Sequence, residues 1–240
     1  CPLKDKKPED IDMIVVRENT EDLYTGLGGI FKKGTADEIA IQEMIFTRKG
    51  TERTIRYAFE LTKTQKRKKV TLVDKANAIR AMDIWTRTFE ELGREYPEIE
   101  KEHNYVDAAC MWMIKNPESF DVVVTNNIFG DIITDLGAML QGGMGIAASG
   151  NIHPGKVSMF EPIHGSAPKY KGLNKANPLA AISACAMLLD YVGEKKSGAK
   201  IEKAIEHLLV TKKIKSLGTD SGYSTTEIGD LVVNEILKGK

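Results

Sequence analysis

The sequence of 240 residues predicts an α/β fold in two parts, on three observations. Short apolar runs at 11–16, 70–73 and 122–124 have the length and composition of buried strands. Segments with helical spacing alternate with them, the order that builds a sheet covered by helices. A glycine-rich stretch at 141–155 (QGGMGIAASGNIHPG) then interrupts the alternation and reads as a crossing between domains.

Each element has its own signal. Residues 1–10 (CPLKDKKPED) are a polar linker, and 11–16 is an apolar run with the look of a buried strand. The glycine-rich segment 20–33 and the β-prone segment 39–46, broken only by Gln42 and Glu43, together read as an extended arm. Ile55, Ala58, Phe59 and Thr62 define a helix over 51–65. The strand at 70–73 ends in Asp74-Lys75-Ala76-Asn77, and Met82, Trp85, Phe89 and Leu92 form one helical stripe within 78–96. After the strand at 122–124 come Thr125-Asn126-Asn127 and a helix over 128–140. Asn177-Pro178 reads as a cap and first-turn proline opening a helix that ends near Gly193. Ser224 and Glu227 have the spacing of a capping box for a last helix.

Composition removes several function classes. Lysine plus arginine equals aspartate plus glutamate at 34 each, so no global field attracts nucleic acid or an anionic membrane. An anionic ligand must therefore be held by local groups. No apolar run approaches the roughly 20 residues that span a bilayer, and no signal-peptide pattern opens the chain. Cys1, Cys110 and Cys185 are odd in number and scattered, which argues against a disulfide framework or cysteine zinc site and for a reducing cytoplasm.

The chemistry-bearing residues cluster at strand ends and in one helix. Asp131 and Asp135 are four apart, so their carboxylates project from one helical face among apolar neighbours. Buried together unpaired, they would be costly; a divalent cation such as magnesium or manganese would resolve that. Acids that favour the helix dipole are an equally good reading of the same residues. Asp107, starting a helix in similar company, reads as a cap. Lys75 follows a buried strand, where α/β proteins hold ligands, and suits either proton transfer or an ordinary turn. Arg17 ends the first strand and suits a substrate carboxylate through its bidentate fork; Tyr24 precedes a glycine segment and can donate a proton. The small residues of FEPIHGSAPKY at 160–170 would let backbone N–H groups approach a phosphate, or form a surface turn. The chain contains no G-x-G-x-x-G fingerprint.

Taken jointly and in order, VRENTEDLYTG, VDKAN, VDAACM, TNNIFGDIITDLGAML and FEPIHGSAPKY…ANP resemble the motifs of the isocitrate/isopropylmalate dehydrogenases. The resemblance covers essentially the whole chain, and NxxxGDIxxD together with EPxHGSAP is highly specific as a combination. It implies that family's two-domain α/β fold, distinct from the Rossmann fold. Residues 1–141 would be the smaller central and dimerisation domain with its arm, and 142–240 the C-terminal part of the larger, cofactor-binding domain. By resemblance Asp107, Asp131 and Asp135 match the metal carboxylates, Arg17 a substrate-carboxylate arginine, and Tyr24 and Lys75 the proton-handling pair. His164, Gly165, Ser166, Ala167 and Asn177 match the dinucleotide loop. The family shares active sites across a homodimer, so Lys75 and Asp107 would serve the neighbouring subunit's site.

The implied activity is oxidative decarboxylation of a 2-hydroxy acid with Mg2+ or Mn2+ and NAD or NADP. Lys169-Tyr170 stands where NAD-using members usually carry an acidic then an aliphatic residue, which leans towards NADP. HGSAP and the short C-terminus favour 3-isopropylmalate, and hence leucine biosynthesis, whereas RENTEDLYTG is closer to the isocitrate and homoisocitrate style; tartrate is a further alternative. Family chains begin with further material, so this chain is expected to lack the first part of the large domain and to be inactive alone. A non-catalytic subunit or a dimerisation fragment is the rival of another class.

Overall fold

The computed structural model describes residues 2–218 and 221–238, so Cys1 lies outside the described residues. The chain divides into two compact units, Leu3–Gly137 and a second that begins at Ala138.

The first unit carries strands β1 (Ile14–Arg17), β2 (Gly28–Phe31), β3 (Ile39–Gln42), β4 (Lys69–Asp74), β5 (Glu100–Tyr105) and β6 (Val122–Thr125). Four of them form a parallel sheet in the order β1-β6-β4-β5. Arg17 pairs with Thr125, Thr125 with Val73 and Asp74 with Tyr105, so the carboxyl ends of all four strands share one edge. The β4 and β6 runs are apolar because they are central strands, buried on both faces. The β5 sequence, EKEHNY, gave no such signal: it pairs only with β4, and an edge strand tolerates charge.

Helix α1 (Arg48–Thr64) starts earlier than its apolar spacing suggested, because the Thr47 hydroxyl accepts the Gly50 N–H at 3.0 Å and caps it. Helix α2 (Asp83–Gly93) starts later than expected. Ile79 is extended and a 3-10 turn, Arg80–Met82, intervenes, although Met82 still reaches the core. Ile55, Ala58 and Phe59 of α1 and Trp85, Phe89 and Leu92 of α2 pack on alternate strand residues Val70, Leu72, Val122 and Val124. Each buried Val, Leu, Ile or Phe side chain among them contributes about 1.5–3 kcal/mol of burial. Phe59 stacks on Tyr96 with centroids 4.8 Å apart. Helices α3 (Val106–Lys115) and α4 (Asn127–Gln141) follow β5 and β6.

At the amino edge of the sheet Arg67 clasps Asp12 and Asp121, each at 2.6 Å. Burial opposes ionisation of Asp121, but Arg67 and the Lys68 and Lys69 N–H groups outweigh it and hold that carboxyl below its usual range. The expected arm is an antiparallel hairpin of β2 and β3 in which every residue is exposed. Gly28 (φ 154°) is required there, since a Cβ would lie 2.1 Å from the Ile41 carbonyl oxygen.

The second unit holds an antiparallel ribbon, β7 (Ala148–Asn151) with β8 (Met159–Pro162), which the glycine content concealed. Its helices α5 (Leu179–Tyr191), α6 (Lys195–Val210) and α7 (Thr225–Lys238) share a core of Leu179, Ala204, Ile205, Leu208, Ile228 and Val232. Pro178 takes the cap position of α5, one residue past the expected Asn177. Asn177 still contributes, because its Oδ1 accepts the Leu179 N–H at 2.9 Å. The Ser224–Glu227 capping box forms reciprocally, at 2.7 and 3.3 Å. Among the described residues no helix is long and apolar enough to cross a membrane.

Candidate active site

The loop after β1 brings three of the expected residues to one place. Arg17 lies along the first turn of α4: its Nε and Nη2 donate to Asn127 Oδ1 at 3.0 and 2.8 Å, and its Nη1 is 3.0 Å from Asp131 Oδ1. Its guanidinium carbon stands 5.6 Å from the Tyr24 ring centroid, in cation–π range. Gly130 makes this approach possible, since a Cβ there would lie 2.4 Å from Arg17 Cγ.

The acids of RENTED hold this loop rather than face a ligand. Buried Glu18 accepts the N–H groups of Thr20 and Glu21 at 2.8 and 2.9 Å, the Thr20 hydroxyl, and Arg53 at 3.3 Å. Glu21 accepts the Thr47 N–H and hydroxyl at 2.8 and 2.5 Å, tying the loop to the start of α1. Buried Asp22 adopts φ 74° and accepts the Asn126 amide at 2.6 Å and the Ile128 N–H at 2.9 Å, tying the Tyr24 turn to the start of α4. Burial pushes the Asp22 carboxyl up from its usual range, against these hydrogen bonds. Sequence reasoning named Arg17 and Tyr24 but missed these supports. The available signal was three acids within 18–22 directly after the first strand, of which only Val16 is buried.

Asp131 and Asp135 stand on one face of α4, but the expectation of burial fails. The Asp131 side chain is 49% exposed and Asp135 is exposed. Ile133 turns inward while Ile132 is itself 50% exposed, so the apolar neighbours do not enclose the acids. Among the described residues no three His, Cys, Asp or Glu side chains form a metal cage. Two adjacent carboxylates nevertheless fit Mg2+ or Mn2+, hard cations that take one or two protein oxygens and complete their shell with water and substrate.

Lys75 and Asp107 form a separate pair across the ends of β4 and α3. Lys75 holds the exposed Asp107 carboxyl below its usual range. The preceding Asp74, buried, accepts the Ala76 N–H at 3.0 Å and the Thr86 hydroxyl at 3.1 Å, and lies 2.9 Å from His103 Nε2. This fixes the turn that carries Lys75. The Asp74 hydrogen bond raises the His103 pKa above its ordinary value, against partial burial.

In the second unit, the segment after β8 is an open loop. Gly165 and Ser166 are exposed, and His164 Nδ1 donates to the Gly165 carbonyl at 2.9 Å. Ala167 is left-handed (φ 45°) and opens a 3-10 turn, Pro168–Tyr170, in which Lys169 Nζ lies 4.9 Å from the Tyr170 ring centroid. Asn177 has both ends of its side-chain amide in internal bonds, to Leu179 N–H and to the Leu217 carbonyl at 3.0 Å. Of the cysteines, Cys110 and Cys185 are free.

This geometry accompanies a clear relationship. The chain matches isocitrate/isopropylmalate dehydrogenase over residues 1–232 and belongs to that family. It is 47% identical over 238 residues to the 3-isopropylmalate dehydrogenase of Thermobifida fusca, covering 98% of this chain and 66% of the relative. It is 46% identical over 234 residues to that of Corynebacterium glutamicum, covering 96% and 67%. The crystal structure of isocitrate dehydrogenase from Methylococcus capsulatus superposes with a TM-score of 0.87 at 39% identity, covering 94% of this chain and 67% of that one. The chain thus spans about two thirds of the length of the curated relatives it matches.

Proposed function

We propose that the protein is a metal-dependent, NAD(P)-linked dehydrogenase that oxidises and decarboxylates 3-isopropylmalate. The observation that carries this reading is the convergence of Arg17, Tyr24 and Asp131 on the start of α4, within a family member whose relatives named above include 3-isopropylmalate dehydrogenases.

A bound Mg2+ or Mn2+ supplies Lewis acidity, and the nicotinamide supplies a hydride acceptor. Asp131 and Asp135 hold the cation through carboxylate oxygens, with Asp107 of a second copy of the chain joining them. Arg17 takes a substrate carboxylate in its fork, oriented by Asn127. Lys75 of that second copy accepts the proton of the 2-hydroxyl, and Tyr24, with 54% of its surface exposed, donates a proton to the substrate carbon after carbon dioxide leaves. His164, Gly165, Ser166, Ala167 and the backbone at Asn177 receive the dinucleotide. Lys169 and Tyr170 favour the 2′-phosphorylated form, because lysine attracts the phosphate that an acid would repel.

A homodimer follows from the same reading. Ile30, Phe31, Ile39 and Ile41 on the arm and Met111, Trp112 and Ile114 on α3 are all exposed apolar side chains, and a second copy of the chain is the partner that would bury them. Isocitrate is the second substrate reading, supported by RENTEDLYTG and by the likeness to the Methylococcus enzyme.

The test is reduced-cofactor formation with manganese by the chain extended to the length of its relatives, offering isopropylmalate and isocitrate, each with NAD and NADP. Turnover of isopropylmalate that Asp131→Asn abolishes supports the proposal. Turnover of isocitrate alone replaces the substrate, and full activity in Asp131→Asn removes the metal assignment.

A further inference from the structure

We propose that Arg17 and the divalent cation compete for Asp131, so that arrival of the cation hands the guanidinium to the substrate carboxylate. This rests on the metal assignment made above and adds an order to it. Three N–H positions of Arg17 are engaged without any ligand, two on Asn127 and one on Asp131. The contact with Asp131 is a direct ion pair at 3.0 Å, so a cation bound to the same carboxylate would sit against a like charge.

The geometry gives Arg17 a way to yield without leaving. Its Nε and Nη2 edge stays on Asn127, whose own Nδ2 donates to the Glu21 carbonyl at 3.2 Å. Only Nη1 has to exchange one carboxylate for another. Asp135, one turn along, has no ion pair among the described residues, so the competition falls on a single member of the pair. Without the cation Nη1 is paired with Asp131, and the substrate carboxylate meets an arginine whose charge is already partly neutralised. With the cation present, Nη1 is free and still oriented. Cation and substrate then favour each other's binding through Arg17, reciprocally.

Manganese titration of the protein without substrate tests this, alongside the Arg17→Gln variant. The expected result is binding on the order of 2- to 5-fold tighter in the variant, the range set by a partly exposed ion pair. A crystal structure of the unsubstituted protein with magnesium and no substrate keeps the test independent of the variant's folding. There Nη1 is expected beyond 4 Å from Asp131, with Nε still on Asn127. Unchanged or weaker manganese binding in Arg17→Gln, or Arg17 remaining on Asp131 beside the bound cation, overturns the inference alone. Failure of the unsubstituted protein to bind manganese removes the metal assignment and this inference together.

Discussion

The Asp22 carboxylate accepts the side-chain amide of Asn126 at 2.6 Å, and both residues are buried. The same carboxylate accepts the Ile128 N–H, so one side chain joins the turn carrying Tyr24 to the helix carrying Asp131. Replacing it by alanine strands the buried Asn126 amide and the part-buried N–H groups of Leu23 and Ile128, and leaves a β-carbon at φ 74°. Asp22→Ala is expected to cost about 2–4 kcal/mol in urea unfolding. Asp22→Asn, which tolerates the left-handed backbone, should cost less. Equal stability of Asp22→Ala and the parent would show that the turn does not depend on this bond.

Gly130 is the space into which Arg17 folds. Gly130→Ala adds intrinsic helix preference of about 1 kcal/mol yet pushes Arg17 off Asn127 and Asp131. The expected outcome is a melting temperature near the parent's and, in the chain extended to the length of its relatives, a KM for the proposed hydroxy acid raised about tenfold or more with the proposed dinucleotide's KM unchanged. An unaltered substrate KM would mean that Arg17 has room to spare.

His103 gives the fold a defined pH dependence. Its folded pKa is raised by Asp74 above the ordinary value of about 6.5. Its contribution is therefore fully present below about pH 6.5 and lost as pH rises through the raised value. Unfolding free energy is expected to fall on the alkaline side of that window, and His103→Gln should flatten the profile there. An identical slope in the variant would assign the dependence to another group.

The arm's apolar residues predict a concentration-dependent assembly. In the homodimer proposed above, Phe31→Lys combined with Ile30→Lys is expected to shift sedimentation from dimer to monomer while the far-ultraviolet dichroism of the folded unit persists. A dimer that survives both charges would place the main contact elsewhere, and Trp112 on α3 is the next position to test.

The parts of the fold legible in sequence were those with strong local patterns. Val70 to Val73 and Val122 to Val124 announce central strands because apolar residues occupy both faces. The β5 and α6 segments do not announce themselves. One is a polar edge, and the other carries Ile201, Ala204, Ile205 and Leu208 at helical spacing within a lysine-rich surface that masks them. Arg17, Tyr24, Asp131 and Asp135 were named from strand ends, helical spacing and motif resemblance. What holds them was not visible, because the partners of Glu21 and Asp22 are as far as 26 residues away at Thr47 and 106 at Ile128. The apolar letters around Asp131 misled for the opposite reason: local composition says nothing about which side of a helix meets solvent.

The parallel sheet of the first unit also has two chemically different rims. Arg17, Lys75 and Asn127 follow the carboxyl ends of their strands, while the Arg67 clasp on Asp12 and Asp121 closes the other edge. The strands of the sheet lie between the two rims. On the proposed function, substitution of Arg17 or Lys75 at one rim therefore bears on recognition, whereas loss of the Arg67 clasp at the other bears on stability.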